Sequence, residues 1–297
     1  GKKKPIPVAD SKWAKEISRQ WRERGFSKRR INAGNLRNWG KPEYFGEKSP
    51  WILWVKNLSD PEFAYEYGKG VWGVSETSKI NPIRCYNCTV GCAYDCEIGR
   101  GPYKGKIVTI TGGAENYEGF AGNIGVSDGE TILYLTDLLD RFGVDARVGQ
   151  SIGMLYECYE KGILNQEHTD GLELKWGDTD AAIELLKKIV KRDGIGAILG
   201  KGPKEAAQIL SEKTGKDLTP FYTSIKGCPP ISHDYRWSWQ KILAQAVCSF
   251  GPVSQGGNLD FSSEPDLGLD KPGKLFDNIS GPMLVAKSMV KKVFEDC

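Results

Sequence analysis

The sequence predicts a mainly α protein, a two-domain helical assembly with few short strands. Apolar residues recur at three- and four-residue spacing in several separate stretches after residue 127. Each stretch is bounded by recognisable start and stop residues, with Asp, Ser or Pro leading in and Gly closing several of them. By contrast, Lys106–Thr111 reads as a short strand, ended by Gly112-Gly113. At 297 residues the chain is long enough to bury a real core in two domains.

Gly1–Ala9 is basic, and Pro5 and Pro7 enforce extended backbone, so it reads as a linker. Asp10 caps a helix in which Trp13, Ile17 and Trp21 repeat every four residues, and Gly25 stops it. Residues 26–80 carry many Gly, Pro, Asn and Trp without clean periodicity and read as irregular structure wrapped over a neighbour. Ser127-Asp128-Gly129-Glu130 supplies an S-x-x-E capping box. The helix behind it shows Ile132, Leu135, Leu138, Leu139 and Phe142 on one face, and Gly143 ends it. A second helix is expected over Gly149–Lys161, with Ile152, Leu155, Tyr156 and Tyr159. A third starts after Asp178 and carries Ile183, Leu186, Ile189 and Val190. A fourth follows Pro203, well placed at a helix start, and closes at Gly215. A last one is expected within Pro282–Glu295. Composition shifts near Thr214–Thr223, which divides the chain into a helical domain at 10–215 and a second helical domain at 216–297.

Net charge is only +3 and no basic stripe interleaves with aromatics, so nucleic acid is not an expected partner. No apolar run approaches the ~18 residues that a spanning helix requires. A cytoplasmic protein without a membrane span is the expectation. Six of the nine tryptophans precede the cysteines, and Trp39, Trp51, Trp54 and Trp72 among them suit a core or an interface better than a ligand.

The chemistry concentrates in Arg84–Gly99, R-C-Y-N-C-T-V-G-C-A-Y-D-C-E-I-G, which holds four of the eight cysteines. Cys85, Cys88 and Cys92 are spaced C-x2-C-x3-C, with Gly91 before the third. A structural zinc normally shows two C-x2-C pairs a dozen or more residues apart, or histidines at set spacing. Disulfide clusters belong to small secreted domains. Three thiolates from one tightly curled loop suit a [4Fe–4S] cluster, whose fourth ligand usually comes from elsewhere.

These features resemble one family. C-x2-C-x3-C at Cys85–Cys92, Asp140-Arg-Phe-Gly143-Val144-Asp145, M-L-Y-E-C-Y-E-K-G-I-L, K-R-D-G-I-G at Lys191–Gly196 and K-G-C-P-P-I-S-H-D-Y-R at Lys226–Arg236 occur in that order. Together they resemble the C-terminal domains 2 and 3 of tungsten-containing aldehyde:ferredoxin oxidoreductases. The resemblance implies that Cys85, Cys88 and Cys92 are cluster ligands. It implies that Asp140, Gly143, Val144 and Asp145 contact a pterin of a bis-pterin tungsten (or molybdenum) cofactor. A carboxylate at a helix end accepts hydrogen bonds from an amino-rich ring, and a glycine lets the chain turn close against it.

The family's second pterin motif, D-x-x-G-L-C, also supplies the fourth cluster cysteine. Here Glu295-Asp296-Cys297 stands at the end, so Asp296 matches its first residue, and the fourth ligand is a residue beyond, Cys297 or Cys96. The resemblance further implies an N-terminal β-rich cofactor domain or subunit, to which Gly1–Ala9 would be the linker. The chain is therefore expected to be a fragment or a split subunit.

Glu118 resembles a glutamate beside the metal, with Glu115 competing for that place, and His233 stands where the family has a comparable turn. After A-V-C-S-F-G the family shows a histidine, whereas Gln255 stands here and cannot shuttle a proton near neutral pH. Tyr134 occupies the approximate place of a glutamate that some members use for an interface iron, so that iron is not expected. The implied activity is oxidation of aldehydes to carboxylic acids, or the reverse, with electrons passed through the cluster to ferredoxin or another electron carrier in an oligomeric enzyme. Alternatives are an aromatic acyl-CoA reductase of the same family and a non-catalytic electron-transfer or scaffold subunit keeping only the cluster.

Cys88→Ser is expected to abolish the brown absorption near ~400 nm of the anaerobically purified protein. Unchanged colour and iron content would contradict ligation by Cys88.

Overall fold

The computed structural model describes residues 8–23, 56, 63–83, 93–110 and 118–229. Among them helices dominate, beside one three-stranded sheet. No helix among the described residues is long and apolar enough to cross a membrane.

Helix α1 (Ser11–Glu23) starts where Asp10 predicts, with Trp13 N donating to Asp10 Oδ1 at 2.9 Å. Its Trp13 is 64% exposed rather than packed. The expected stop at Gly25 lies outside the described residues.

Helix α2 (Phe63–Thr77) falls inside the stretch read as irregular. Its sequence, FAYEYGKGVWGVSET, carries three glycines and several aromatic or β-branched residues, so propensity and period argue weakly for a helix. Tertiary packing decides otherwise. A Cβ at Gly70 would lie 1.7 Å from the Ser127 carbonyl oxygen, and one at Gly129 would lie 2.0 Å from that of Gly70. Glycine here permits backbone-to-backbone approach, and that contact compensates for the poor propensity.

Strands β1 (Lys79–Ile83), β2 (Ala93–Glu97) and β3 (Ile107–Ile110) form an antiparallel meander in that order. β3 agrees with the expected Lys106–Thr111 run, while β1 and β2 were not foreseen. Pro82 is tolerable in β1 because β1 is an edge strand. Lys79 pairs with Glu97 and Ile83 with Ala93. Tyr94, Cys96, Val108 and Ile110 share the buried face, while Thr109 Oγ1 donates to Asp95 Oδ1 at 2.7 Å on the other.

Helix α3 (Gly129–Phe142) ends at Gly143, as the sequence predicts. Its start differs by one residue: the cap is Asp128, not Ser127, with Asp128 Oδ2 accepting from Thr131 N at 2.9 Å and Thr131 Oγ1 at 2.7 Å. A charged acceptor suits the helix N-terminus better than a hydroxyl. The one-residue shift sends Glu130 inward instead of back to the cap. Ile132, Leu135 and Leu139 are buried, joined by Leu133, while Leu138 and Phe142 pack half-buried at the core margin.

A π-helical turn (Glu118–Gly122) packs on helix α4 (Val148–Glu160), within a residue of its expected span. Helix α5 (Thr179–Lys191) is capped by Asp178, whose Oδ1 accepts from Ala181 N at 3.0 Å. Its buried stripe runs through Leu185, Leu186 and Ile189; Val190, expected inside, is 44% exposed. Short α6 (Ile195–Leu199) follows, and α7 (Pro203–Thr214) starts at the proline and stops at Gly215 as predicted. Leu218 joins the core, its amide donating to Ser211 Oγ at 2.9 Å. The expected helix within Pro282–Glu295 lies outside the described residues.

Gly129→Ala is expected to destabilise the fold by about 3 kcal/mol, because the new Cβ meets backbone that cannot rotate away. A denaturant midpoint within error of wild type would contradict this packing.

Candidate cofactor-binding site

The strand register explains how the cysteine segment is held. Residues 84–92, with Cys85, Cys88 and Cys92, lie outside the described residues, but their flanks Ile83 and Ala93 are direct strand partners. Those two flanking residues are therefore about 5 Å apart. Cys96 belongs to β2 and is fully buried among apolar neighbours. Burial pushes its thiol up to about 11, and the Glu130 charge adds to this while a Ser78 hydrogen bond partly opposes it. It stands three residues up the strand from Ala93, roughly 10 Å away. Asp296, Cys297 and His233 lie outside the described residues, and Glu118 opens the π-helical turn without a described side chain.

Helix α3 is fastened to the sheet at two levels. Near its start, buried Glu130 accepts from Arg100 Nε at 2.9 Å and from Thr77 Oγ1. Arg100 follows β2, and Thr77 precedes β1, so this anchor marks the sheet end away from the cysteine segment. Two turns later, buried Asp137 accepts at Oδ1 from the Thr109 amide at 3.1 Å and at Oδ2 from Arg141 Nε at 2.5 Å. Thr109 pairs with Asp95, two residues from Ala93. Helix α3 thus runs toward the sheet end from which the cysteine segment emerges. Asp140 lies three residues, about 4.5 Å of helix rise, beyond Asp137.

At that end Asp140, Gly143, Val144 and Asp145 form one turn. Gly143 has φ 65°, its amide donating to Asp140 O at 3.1 Å, and the Val144 amide donates to Leu139 O at 3.0 Å. This pair of bonds is a Schellman closure, and the positive φ explains the glycine. A cleft of about 220 Å³ is lined by Thr136, Leu139, Asp140, Val144, Asp145 and Ala146.

The two carboxylates of the turn differ. Asp145 is committed: Oδ1 accepts from the Arg147 amide at 2.8 Å and Nε at 2.9 Å, and Oδ2 from Arg147 Nη2 at 2.7 Å. Those bonds from Arg147 hold its carboxyl below the usual range. Asp140 stands exposed at the cleft, and no described residue donates a hydrogen bond to its carboxylate. Partial desolvation, then the Asp137 charge, push its carboxyl above the usual range. An open acceptor in a mainly polar cleft fits a ring carrying amino and N–H donors. Among the described residues no group of three or more His, Cys, Asp or Glu side chains is arranged to hold a metal ion.

Sequence reasoning named Asp140, Gly143, Val144 and Asp145 but missed Arg147, Asp137 and Arg100, and it read Glu130 as part of the capping box rather than as an anchor. The i, i+4 spacing of Asp137 and Arg141 was the legible signal for one of these. Nothing local marks Arg100 as the partner of Glu130.

With this geometry in hand, a family profile described as aldehyde ferredoxin oxidoreductase, domains 2 & 3, matches residues 28–295. The chain belongs to that family. Over 216 residues it is 39% identical to the aliphatic sulfonate oxidoreductase, WOR-like subunit, of Pyrococcus furiosus, covering 71% of this chain and 33% of that protein. It is 29% identical over 159 residues to a tungsten-containing aldehyde ferredoxin oxidoreductase of the same organism, covering 52% of this chain and 25% of the relative. The chain thus spans a third or less of these two curated relatives. Among solved structures, the active site complex BamBC of benzoyl coenzyme A reductase, with bound 1,5-dienoyl-CoA, shares the fold at TM-score 0.56 and 21% identity. That match covers 86% of this chain and 38% of the other.

Arg147→Ala is expected to raise the Asp145 pKa toward the ordinary value of about 3.9. Because the folded value is depressed, the stability from this pair is present above the unfolded pKa and lost as pH falls through the folded one. Carboxyl 13C NMR titration reads the shift; an unmoved Asp145 would contradict the pairing.

Proposed function

We propose that the chain forms the cluster-bearing and pterin-contacting part of a tungstopterin oxidoreductase that interconverts aldehydes and carboxylic acids, exchanging electrons with ferredoxin. The supporting observation is the course of α3, which directs Asp140 toward the sheet end where the cysteine segment begins. A two-electron centre and a one-electron relay work together only when they are close. Oxidation of an aldehyde by water releases two protons and two electrons, so the site needs proton acceptors and an electron exit.

When bound, the bis-pterin metal would supply the two-electron oxygen chemistry and the [4Fe–4S] cluster the one-electron exit. Asp140 would accept hydrogen bonds from the pterin, while Arg147 keeps Asp145 ionised and fixed in the same turn. Cys85, Cys88 and Cys92 would hold the cluster, and its fourth ligand would come from Cys297 or beyond. Cys96 is disfavoured by its burial in β2. Asp296 would open the second pterin motif. Glu118 and His233 would take the released protons, since Gln255 cannot. The chain would divide into helical domains at 10–215 and 216–297, act in the cytoplasm, and work with a β-rich cofactor domain or subunit in an oligomer.

A second reading, reduction of aromatic acyl thioesters, is supported by Gln255 and by the fold shared with BamBC. The name of the sulfonate oxidoreductase subunit adds aliphatic sulfonates as a third substrate class to assay.

Anaerobic purification with any coexpressed upstream partner is expected to yield tungsten or molybdenum with about four irons per chain, and aldehyde-dependent reduction of ferredoxin. Four irons without tungsten or molybdenum would instead establish an electron relay. Turnover of acyl thioesters or sulfonates without aldehydes would reassign the substrate.

A further inference from the structure

We propose that Asp137 is a positioning residue that braces the cofactor turn Asp140–Asp145 against β3, the strand paired with the one that leads out of the cysteine segment. The proposal rests on reading that turn as pterin-contacting. Asp137 is buried, its two carboxylate oxygens are used by different elements, and Asp140 follows one helical turn later. Thr109 lies on β3, one of the two edge strands of the sheet, and its amide donates outward to Asp137 Oδ1 at 3.1 Å. An outward amide on an edge strand would otherwise need water or another chain. Here it sets where the last turn of α3 lies along the sheet. The backbone ladder of β3 continues the link to β2, the strand that runs directly out of the cysteine segment, and the exposed Thr109 Oγ1–Asp95 bond is not needed for it.

Other anchors do not replace this one. The Glu130 anchor holds the opposite end of α3, and the Tyr103–Tyr134 stack, with ring centroids 3.8 Å apart, also leans on the loop after β2. Without Asp137, the C-terminal turns of α3 would still pack through Leu135 and Leu139 but would lose their polar register on the sheet. Apolar contact is non-directional, and a hydrogen bond to one particular amide is not.

The test compares Asp137→Ala, Asp137→Asn, Thr109→Pro and Thr109→Val in the full-length protein. Asn keeps an acceptor for the amide and drops the charge. Pro removes the amide at an edge position, without touching α3. Val keeps the amide and removes the hydroxyl. Amide exchange by mass spectrometry is read on peptides covering 105–110 and 139–146, with tungsten and iron measured per chain.

D137A and T109P are expected to speed exchange about tenfold in both peptides, the factor corresponding to loss of one charge-assisted hydrogen bond. Both should lower tungsten retention while iron stays unchanged. D137N and T109V should resemble wild type. Faster exchange in 105–110 alone would overturn the proposal, as would a D137N that fails like D137A beside an innocuous T109P. If D137A does not fold, T109P against T109V decides the same question. A wild-type protein without tungsten or molybdenum would sink the cofactor reading, and the exchange comparison would still decide the brace.

Discussion

Two acidic side chains on one face of α3, seven residues apart, fix how that helix lies on the sheet. Glu130 and Asp137 are both buried, and each reaches a polar group of the β-meander or of the segments flanking it. Removing one partner from a buried charged group is costly, because the other charge is left without solvent or counter-ion. The arrangement is therefore restrictive: sliding α3 along the sheet would strand two buried carboxylates and the Thr109 amide. Glu130 Oε2 has no partner among the described residues even so, which leaves this anchor only half satisfied. The direction of α3, and so the location of the Asp140 turn, follows from these contacts.

Close backbone approach is the second constraint. Gly70 meets the start of α3, and a Cβ at Gly149, in the first turn of α4, would lie 1.9 Å from the Gly119 carbonyl oxygen. Both contacts join α2, α3, α4 and the π-helical turn without side chains between them. Interiors at this packing density transmit displacement rather than absorb it. The π-helical turn is held additionally by buried Asn123, whose Nδ2 donates to Gly119 O at 3.0 Å. Glu118, proposed to manage protons, begins that turn. Its backbone is therefore carried by a segment fixed at several points, as a site residue requires.

The cofactor turn shows how neighbours divide labour between similar residues. Asp140 and Asp145 are both aspartates near one cleft, yet Arg147 claims Asp145 and no described donor claims Asp140. The guanidinium two residues on turns the second carboxylate into part of the scaffold. The first remains an acceptor for whatever enters the cleft.

Much of the fold was legible locally. Helices α1, α3, α4, α5 and α7 announced themselves through period, caps and closing residues, since helix ends are problems of unsatisfied backbone groups that nearby side chains solve. Capping at Asp128 rather than Ser127 shows the limit of that legibility, about one residue. The cysteine spacing and the Asp140–Asp145 motif were likewise sequence-local and identified the family. Only the tertiary structure decided that 63–77 is a helix, that the cysteine segment is bounded by paired strands, and that Asp140 rather than Asp145 is open. The Thr109–Asp137 bond spans 28 positions and the Glu130–Thr77 bond 53, distances over which no propensity or periodicity carries information. Such contacts exist only once the chain has chosen which apolar faces to bury together, and it is they that set the site.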